Sequence, residues 1–367
     1  MKYSYLKSKS FYIPSLLFLI FAIIYMFILQ SGEHKYYSTQ RMLTQWDGQH
    51  YLSIARDGYE KYPCQYSSEN ICGNIGWFPF YPLVGSLLSF LPISINLIMI
   101  GLSWLSFWLA LLLIYRFVLK LYSENIALWT IIAMLIFPSS FYFLTVFPYA
   151  IYLLLTMLIF TFLFDRKYLF LIPCTAMLAV TYPSGIVIFL PLVYTLWKER
   201  NSATLKEKIQ LSTSIITIGL GLVSYCTYNY IVFGDFFLYN TFQAQSYYAH
   251  QATFPLYTIY ETLTSLPITH TISLTLIFII ALVILFYQKS IDIRLQIFMF
   301  GILLFTPSAG TTDCYYRHII VAFPLFLMIG KAIESEKRKY LLPLYCIVSI
   351  LLIFFLYLPL YKSGNLM

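Results

Sequence analysis

The chain has 367 residues, of which 60% are hydrophobic and only 10% are charged. Soluble globular proteins are roughly half apolar and about a quarter charged, so this composition excludes a water-soluble domain. The net charge of +8 does not indicate nucleic acid binding, because the Lys and Arg residues stand in short clusters beside apolar runs, the distribution that orients membrane helices.

Apolar runs suited to membrane helices, which need about 20 residues each, follow one another along the chain. The first, residues 11–29, is preceded by Lys2, Lys7 and Lys9, which favours a retained anchor with a cytoplasmic N-terminus. The later runs are residues 94–119, 126–145, 147–164, 168–181, 184–197, 210–232, 271–287, 293–307, 318–333 and 341–361. The sequence therefore predicts an all-α polytopic membrane protein, one integral domain over residues 1–367 with about eleven spans, within a range of ten to twelve.

Basic residues recur in the connectors, and two spans separate each cluster from the next. The clusters are Arg116 with Lys120, Arg166 with Lys167, the group Lys198, Arg200, Lys206 and Lys208, then Lys289 with Arg294, and finally Lys331, Lys337, Arg338 and Lys339. All of them can therefore lie in the cytoplasm together. The short apolar stretch 76–92 contains Pro79, Pro82 and Pro92 and would invert this topology if it crossed the membrane, so it is predicted to be re-entrant or interfacial.

In this topology, the polar residues that do not orient the helices gather on the non-cytoplasmic face. In a bacterium, this is the periplasmic or extracytoplasmic face of the inner membrane. That face receives the loops 30–93 and 233–270 and the turns near residues 147–149, 182–184 and 308–317. Cys64 and Cys72 lie in the first loop, where an oxidising compartment would permit a disulfide, and the sequence leaves their pairing open. Functional residues are expected on this face.

The first outer loop carries the clearest candidate for chemistry. Interfacial or re-entrant helices are expected in this loop. Asp47 and His50 stand three residues apart in one short interfacial helix, so they share one helix face. A carboxylate there can take the proton of an attacking hydroxyl, with the imidazole as orienting partner. The alternative is that Asp47 only caps the helix. The aromatic and proline-rich stretch 74–83 that follows, including Trp77, suits either a chain re-entering the interface or a wall for stacking carbohydrate.

Further motifs follow in a fixed order along the chain. They are Trp46-Asp47 with Ile54-Ala55 and Gly58-Tyr59, then Phe78-Pro79-Phe80-Tyr81-Pro82, Phe137-Pro138-Ser139-Ser140-Phe141, Phe233-Gly234-Asp235 with Phe242 and Gln245, and Arg317 before Ala322-Phe323-Pro324-Leu325. This ordered set resembles the GPI mannosyltransferase II family and its bacterial relatives, in the C-type superfamily of membrane glycosyltransferases. The resemblance spans most of the chain, and the order is more specific than any single motif.

The resemblance implies the C-type glycosyltransferase fold and an inverting transfer of mannose, or a similar hexose, on the non-cytoplasmic face. The donor would be a polyprenyl- or dolichyl-phosphate sugar in the membrane lipid, and the acceptor a glycan, a glycolipid or a protein. No cofactor is implied, and no metal is expected to be required. Asp47 is by this carry-over the expected catalytic base.

Arg317 precedes His318 at the start of a predicted span, where a guanidinium can hold a lipid phosphate through two parallel hydrogen bonds. The alternative is an arginine that snorkels to the interface. Asp235 is the second candidate for the base or for binding acceptor hydroxyls, although Gly-Asp is also an ordinary turn. Trp46, His50, Trp77 and Gln245 complete the substrate-binding residues expected in these motifs.

The sequence departs from the family pattern at two positions. Tyr149 stands where the resemblance leads us to expect an acid, and Tyr182 where it leads us to expect an arginine. If those two groups pair in the family, replacing both removes a salt bridge without leaving an unpaired buried charge. This hypothesis requires Tyr149 and Tyr182 to be close together, and both are counted among the expected substrate-binding residues.

The alternative function is that of a polytopic transporter or a lipid or glycolipid flippase without covalent chemistry. A transporter should carry ionisable residues within its spans near the midplane, and these spans are almost free of them. The remaining acids of the outer loops are expected to be solvated: Glu33, Asp57, Glu60, Glu69, Glu261 and Asp313. His34, His250 and His270 have no spacing that suggests a metal site.

Overall fold

The computed structural model describes residues 2–30, 39–65, 67–264, 288–334 and 340–357, and most of them are helical. The α-helices are α1 Lys2–Gln30, α2 Thr39–Met42, α3 Asp47–Asp57, α4 Phe80–Leu87, α5 Ile95–Leu121, α6 Glu124–Leu135, α7 Tyr149–Phe164, α8 Leu171–Ala179, α9 Phe189–Lys198, α10 Leu205–Phe233, α11 Leu238–Gln243, α12 Pro255–Thr264, α13 Ile293–Phe305, α14 Tyr315–His318, α15 Phe323–Glu334 and α16 Leu341–Leu352. Short 3-10 turns lie at Ser140–Leu144, Tyr168–Phe170, Pro183–Ile188, Gln288–Ser290, Pro307–Ala309 and Ile319–Val321, and a π turn at Ile353–Tyr357. The predicted span 271–287 lies outside the described residues.

Three helices in the described ranges are long and apolar enough to cross a membrane, namely Lys9–Gln30, Ile95–Leu121 and Leu205–Phe233. The pair Tyr315–Val321 and Phe323–Glu334, bent by 79°, can add a fourth. Other predicted spans are apolar helices of 10–17 residues, or about 15–25 Å, shorter than a bilayer core of about 30 Å. The structure thus gives the apolar helices of a membrane protein, while the prediction of eleven spans stays a prediction.

Prolines divide several of the predicted spans. In the run 126–145, α6 ends at Leu135 just before Pro138, which cannot continue a helix, and the chain goes on as the 3-10 turn Ser140–Leu144. The Ser139 hydroxyl at this break donates a hydrogen bond of 2.6 Å to the carbonyl of Tyr316. Irregular backbone at membrane depth is tolerated where protein buries it or where it lines a cavity. The turn Ser140–Leu144 is buried, so the irregular backbone at this break is covered by protein.

The basic connectors meet at one end of the helices through ion pairs. The Lys9 ammonium lies 2.7 Å from Glu124, Lys120 pairs with Asp165, Arg166 lies 3.3 Å from Glu199 and 3.1 Å from Glu207, and Lys331 donates to the Ser290 carbonyl at 2.7 Å. The C-terminal end of α5 lies here, and its 27 residues carry the chain about 40 Å to Ile95 at the other end. The predicted gathering of basic connectors is therefore present among the described residues.

The segment 39–93 contains an element that the sequence did not predict, a two-stranded antiparallel hairpin of β1 Lys61–Cys64 and β2 Ser67–Gly73. A disulfide joins Cys64 to Cys72 across it, which decides the pairing left open above. The Gln245 amide oxygen accepts the Ile71 N–H at 2.5 Å, and its NH₂ donates to the Ile71 carbonyl at 3.1 Å. The hairpin is thereby tied to the segment that follows α11.

Replacing Cys64 and Cys72 together by Ser is expected to lower the free energy of unfolding of this part of the protein by about 2–3 kcal/mol, because the open chain regains the entropy of a short closed loop. Thermal unfolding of the purified protein in detergent measures the change. Cys226→Ser, which removes a thiol that is not disulfide-bonded, is the matched control. An unchanged melting temperature in the double variant would contradict a stabilising disulfide.

Candidate active site

A cavity of about 320 Å³ opens at the end of the molecule opposite the basic connectors. Helix α13 shows the direction, since it begins at Ile293 near the basic end and its last residue, Phe305, lines the cavity. Five of the predicted site residues line it: Asp47, Trp77, Tyr182, Arg317 and His318. Its volume falls in the range of ordinary ligand sites. Segments far apart in the sequence thus converge on one site.

An ion pair joins Asp47 to Arg317 in the wall of this cavity. The Arg317 Nη2 donates to the Asp47 Oδ2 at 2.8 Å. Arg317 is only 8% exposed, its guanidinium carbon lies 5.3 Å from the centre of the Phe147 ring, and its Nε and Nη1 are buried without a hydrogen-bond partner among the described residues. A charge at this depth is stable only when it is paired. The snorkelling alternative is therefore wrong for Arg317.

Strained backbone precedes both members of the pair. Trp46, directly before α3, has φ 49°, and Cys314, directly before α14, has φ 59°. Non-glycine residues in this region cost about 1–3 kcal/mol each and persist only where the surrounding structure holds them. Asp47 is the first residue of α3, and its carboxylate binds Arg317 instead of capping the helix. The helices that carry Asp47 and Arg317 thus each follow a residue whose conformation the surrounding structure must hold.

His50 contacts Trp77, whereas the Asp47 carboxylate contacts Arg317. Its ring stacks on the indole with centroids 3.6 Å apart and planes 12° from parallel. The Trp77 carbonyl accepts a hydrogen bond of 2.6 Å from the Tyr59 hydroxyl, so the backbone of the wall is held as well. Trp77 is 7% exposed and lines the cavity, which is the geometry of an aromatic wall. His50 supports that wall from behind.

Acidic pH is expected to destabilise the protein through His50. Burial lowers the pKa of His50, and the nearby Asp47 opposes this only in part. The unfolded chain therefore takes up the proton first, and the free energy of unfolding falls as the pH drops below about 6.5. The variant His50→Phe keeps a ring on Trp77 without the titrating group, so its melting temperature should fall less between about pH 7.5 and about pH 5.5. An equal fall in both proteins would contradict this role.

Tyr149 and Tyr182 are in contact, as the replacement hypothesis requires. The ring centroids of Tyr149 and Tyr182 are 5.5 Å apart, and the His318 ring lies 6.2 Å from Tyr149 and 5.6 Å from Tyr182. The His318 Nδ1 and the Thr306 hydroxyl are within hydrogen-bond distance at 3.1 Å. Tyr182 lines the cavity, whereas Tyr149 lies buried behind it. The two tyrosines thus meet the distance requirement of the replacement hypothesis, which stays a prediction.

The other predicted site residues lie outside the cavity lining. The Asp235 carboxylate accepts hydrogen bonds from the Phe237 N–H at 2.8 Å and from the Thr241 hydroxyl at 3.2 Å, which is the turn named above as its alternative. Gln245 holds the hairpin, and Trp46 and His50 support their neighbours from outside the lining. These side chains position the site without facing it.

Several lining residues were missed by the sequence analysis. They include Tyr247, Tyr248, His250 and Asp313, the last of which was expected only to be solvated. No local signal could have found them, because each gains its place through the packing of one loop against another. Across the ranges that the structure describes, no group of three His, Cys, Asp or Glu side chains could hold a metal ion.

No protein-family profile matches this chain, and no curated protein matches it. Its function is therefore inferred from the cavity and from the order of its motifs.

Proposed function

We propose that the protein is an inverting glycosyltransferase that moves mannose, or a similar hexose, from a polyprenyl-phosphate carrier to an acceptor hydroxyl. The observation that carries this proposal is the Asp47–Arg317 pair, an acid and a buried guanidinium 2.8 Å apart in the wall of one cavity. Both residues stand in the motifs that resemble the GPI mannosyltransferase II family. Their contact supports a single site that can bind both an acceptor hydroxyl and a phosphate.

In the proposed reaction, the Asp47 carboxylate takes the proton of the acceptor hydroxyl as its oxygen bonds to the anomeric carbon. The bond from that carbon to the phosphate oxygen breaks, and its electron pair leaves with the carrier as polyprenyl phosphate. Attack from the face opposite the phosphate inverts the anomeric configuration. Arg317, already oriented by Asp47, stabilises the charge that develops on the departing phosphate. The carboxylate thus serves the attacking hydroxyl, and the guanidinium serves the departing phosphate.

The membrane arrangement that goes with this proposal has about eleven spans in a C-type glycosyltransferase fold, with the cavity on the non-cytoplasmic face. The separation of the basic connectors from the cavity supports that orientation, because basic loops stay in the cytoplasm. The polyprenyl tail would lie between helices that are open to lipid. In a bacterium, the membrane would be the inner membrane.

Two assays distinguish transfer from transport: product formation in lipid nanodiscs, and movement of the lipid across the membrane of proteoliposomes. Purified protein in lipid nanodiscs is incubated with polyprenyl-phosphate mannose and a set of glycan, glycolipid and peptide acceptors, and both the released polyprenyl phosphate and the acceptor mass are followed. Transfer predicts that lipid phosphate and a product one hexose heavier appear together. Movement of the intact mannolipid across proteoliposomes, with no new product, would instead favour a flippase and overturn the proposal.

A further inference from the structure

We infer that the outer part of the cavity is a second binding site, built by Tyr248, His250 and Asp313, that takes a pyranose ring of the acceptor. The inference rests on the proposed function and gives the acceptor its chemical class. The acceptor is a glycan of at least two rings, one beside Asp47 and the next at the cavity mouth.

An aromatic track leads from the ion pair to the solvent. It begins at Trp77, whose ring stacks on His50 of helix α3. The ring centroid of Tyr248 lies 6.4 Å from that of Trp77. The rings of His250 and Tyr247 follow, with centroids 6.3 Å and 4.9 Å from that of Tyr248. Trp77, Tyr247, Tyr248 and His250 all line the cavity, and Tyr247 is 76% exposed at the end of the track. The C–H faces of a pyranose pack on aromatic rings, so successive rings suit successive sugars.

The cavity also offers polar groups suited to hydroxyls. Asp313 and Thr311 line it, and the Asp313 backbone N–H is fixed by the Thr311 hydroxyl at 3.0 Å. Burial lowers the pKa of His250 in spite of the nearby Asp313, so at neutral pH its ring carries one donor and one acceptor. A carboxylate accepts hydrogen bonds from hydroxyls, and a neutral imidazole can do either. Both match a polyol.

The loop that carries these side chains is fastened at both ends. The His250 N–H donates to the Gln243 carbonyl at 3.0 Å, and the preceding Ala249 takes the left-handed conformation with φ 51°. Further along, the Gln251 N–H donates to the Ala309 carbonyl at 3.1 Å, and the Thr253 N–H to the Ser308 carbonyl at 3.0 Å. A site held in place before binding loses less entropy when a ligand arrives. The cavity mouth is therefore preformed.

The same features argue against a peptide or an anionic headgroup at this position. An extended peptide is recognised through backbone hydrogen bonds along a strand edge, whereas the mouth presents side-chain rings and carboxylate. An anionic headgroup would meet the carboxylate of Asp313 as a like charge. A neutral sugar suffers neither conflict.

Acceptor length provides the test. Methyl α-mannoside, mannobiose and mannotriose, with the matching glucosides, are titrated into the protein with and without polyprenyl phosphate, and binding is followed by saturation-transfer NMR and calorimetry. The disaccharide is expected to bind about five- to tenfold more tightly than the monosaccharide, because a second ring reaches Tyr248. In Tyr248→Ala and Asp313→Asn this gain should shrink to less than about twofold. Tyr260→Ala, an exposed tyrosine of α12 outside the lining, is the matched control and should keep the gain.

Sugar binding tests the second site and sugar transfer tests the proposed reaction, so the two proposals can be contradicted separately. Equal affinity for one and two rings, no binding of any of these sugars, or a gain that survives in both variants would each overturn the second site. Binding with the expected length dependence but no sugar transfer would keep the site and overturn the proposed reaction. Transfer to a Ser/Thr peptide, with no glycan bound, would overturn the assigned acceptor class while leaving the transferase intact.

Discussion

The Asp47→Asn variant is expected to lose transfer by about 10²–10⁴-fold, the usual contribution of a general base. Asparagine has nearly the same shape, and its amide oxygen can still accept the hydrogen bond that Arg317 Nη2 gives to Asp47. The hydrogen bond can therefore remain, but the buried Arg317 loses its counter-charge, so the free energy of unfolding should fall by about 1–3 kcal/mol while the fold is kept. The initial rate of polyprenyl phosphate release measures the effect, with the melting temperature recorded in the same preparation.

Asp235→Asn is the matched control, since it makes the same chemical change in an acid that the structure assigns to a turn. Its rate should stay within about twofold of the parent protein, because surface and turn substitutions have small effects. Full turnover by Asp47→Asn would remove Asp47 as the base. If Asp235→Asn lost activity at the same time, the base would be Asp235 and the cavity geometry would have to change on binding.

The Arg317→Gln variant is expected to lose both stability and affinity for the lipid phosphate. Removing one partner of a fully buried ion pair costs about 3–5 kcal/mol. The Asp47 side chain is 29% exposed and keeps some contact with water, so a smaller loss of about 1–3 kcal/mol is expected here. The melting temperature should fall by several degrees, and the affinity for polyprenyl phosphate should fall with it.

A double variant separates charge pairing from packing. Asp47→Asn with Arg317→Gln removes both charges, so its stability should exceed that of Arg317→Gln alone, the sign of direct coupling between two contacting groups. Arg56→Gln is the control, because Arg56 also pairs with an aspartate, Asp57, but is 62% exposed at its side chain, and exposed pairs contribute about 0–1 kcal/mol. Additive losses in the double variant would count against the ion pair as a stabilising contact.

The candidate site shows which of its residues sequence motifs can predict. Asp47, Trp77 and Arg317 were predicted from three separate motifs, and the structure brings all three to one cavity. Asp235 stood in an equally plausible motif and lies in a turn. A short motif fixes local backbone, but whether its side chain faces the site depends on how that segment packs. His50 shows the same limit. It lies in the predicted helix with Asp47, but its ring stacks on Trp77.

The fold divides in the same way. Apolar runs, basic clusters and helix starts depend on residues that are neighbours in the sequence, so the sequence by itself determined a helical membrane protein whose basic connectors share one end. The hairpin with its disulfide, the prolines' division of long runs into short helices, and the aromatic mouth of the cavity depend on contacts between distant segments. Composition carries no record of such contacts, because many packings bury the same apolar area. Only the tertiary structure decided that Asp47 meets Arg317.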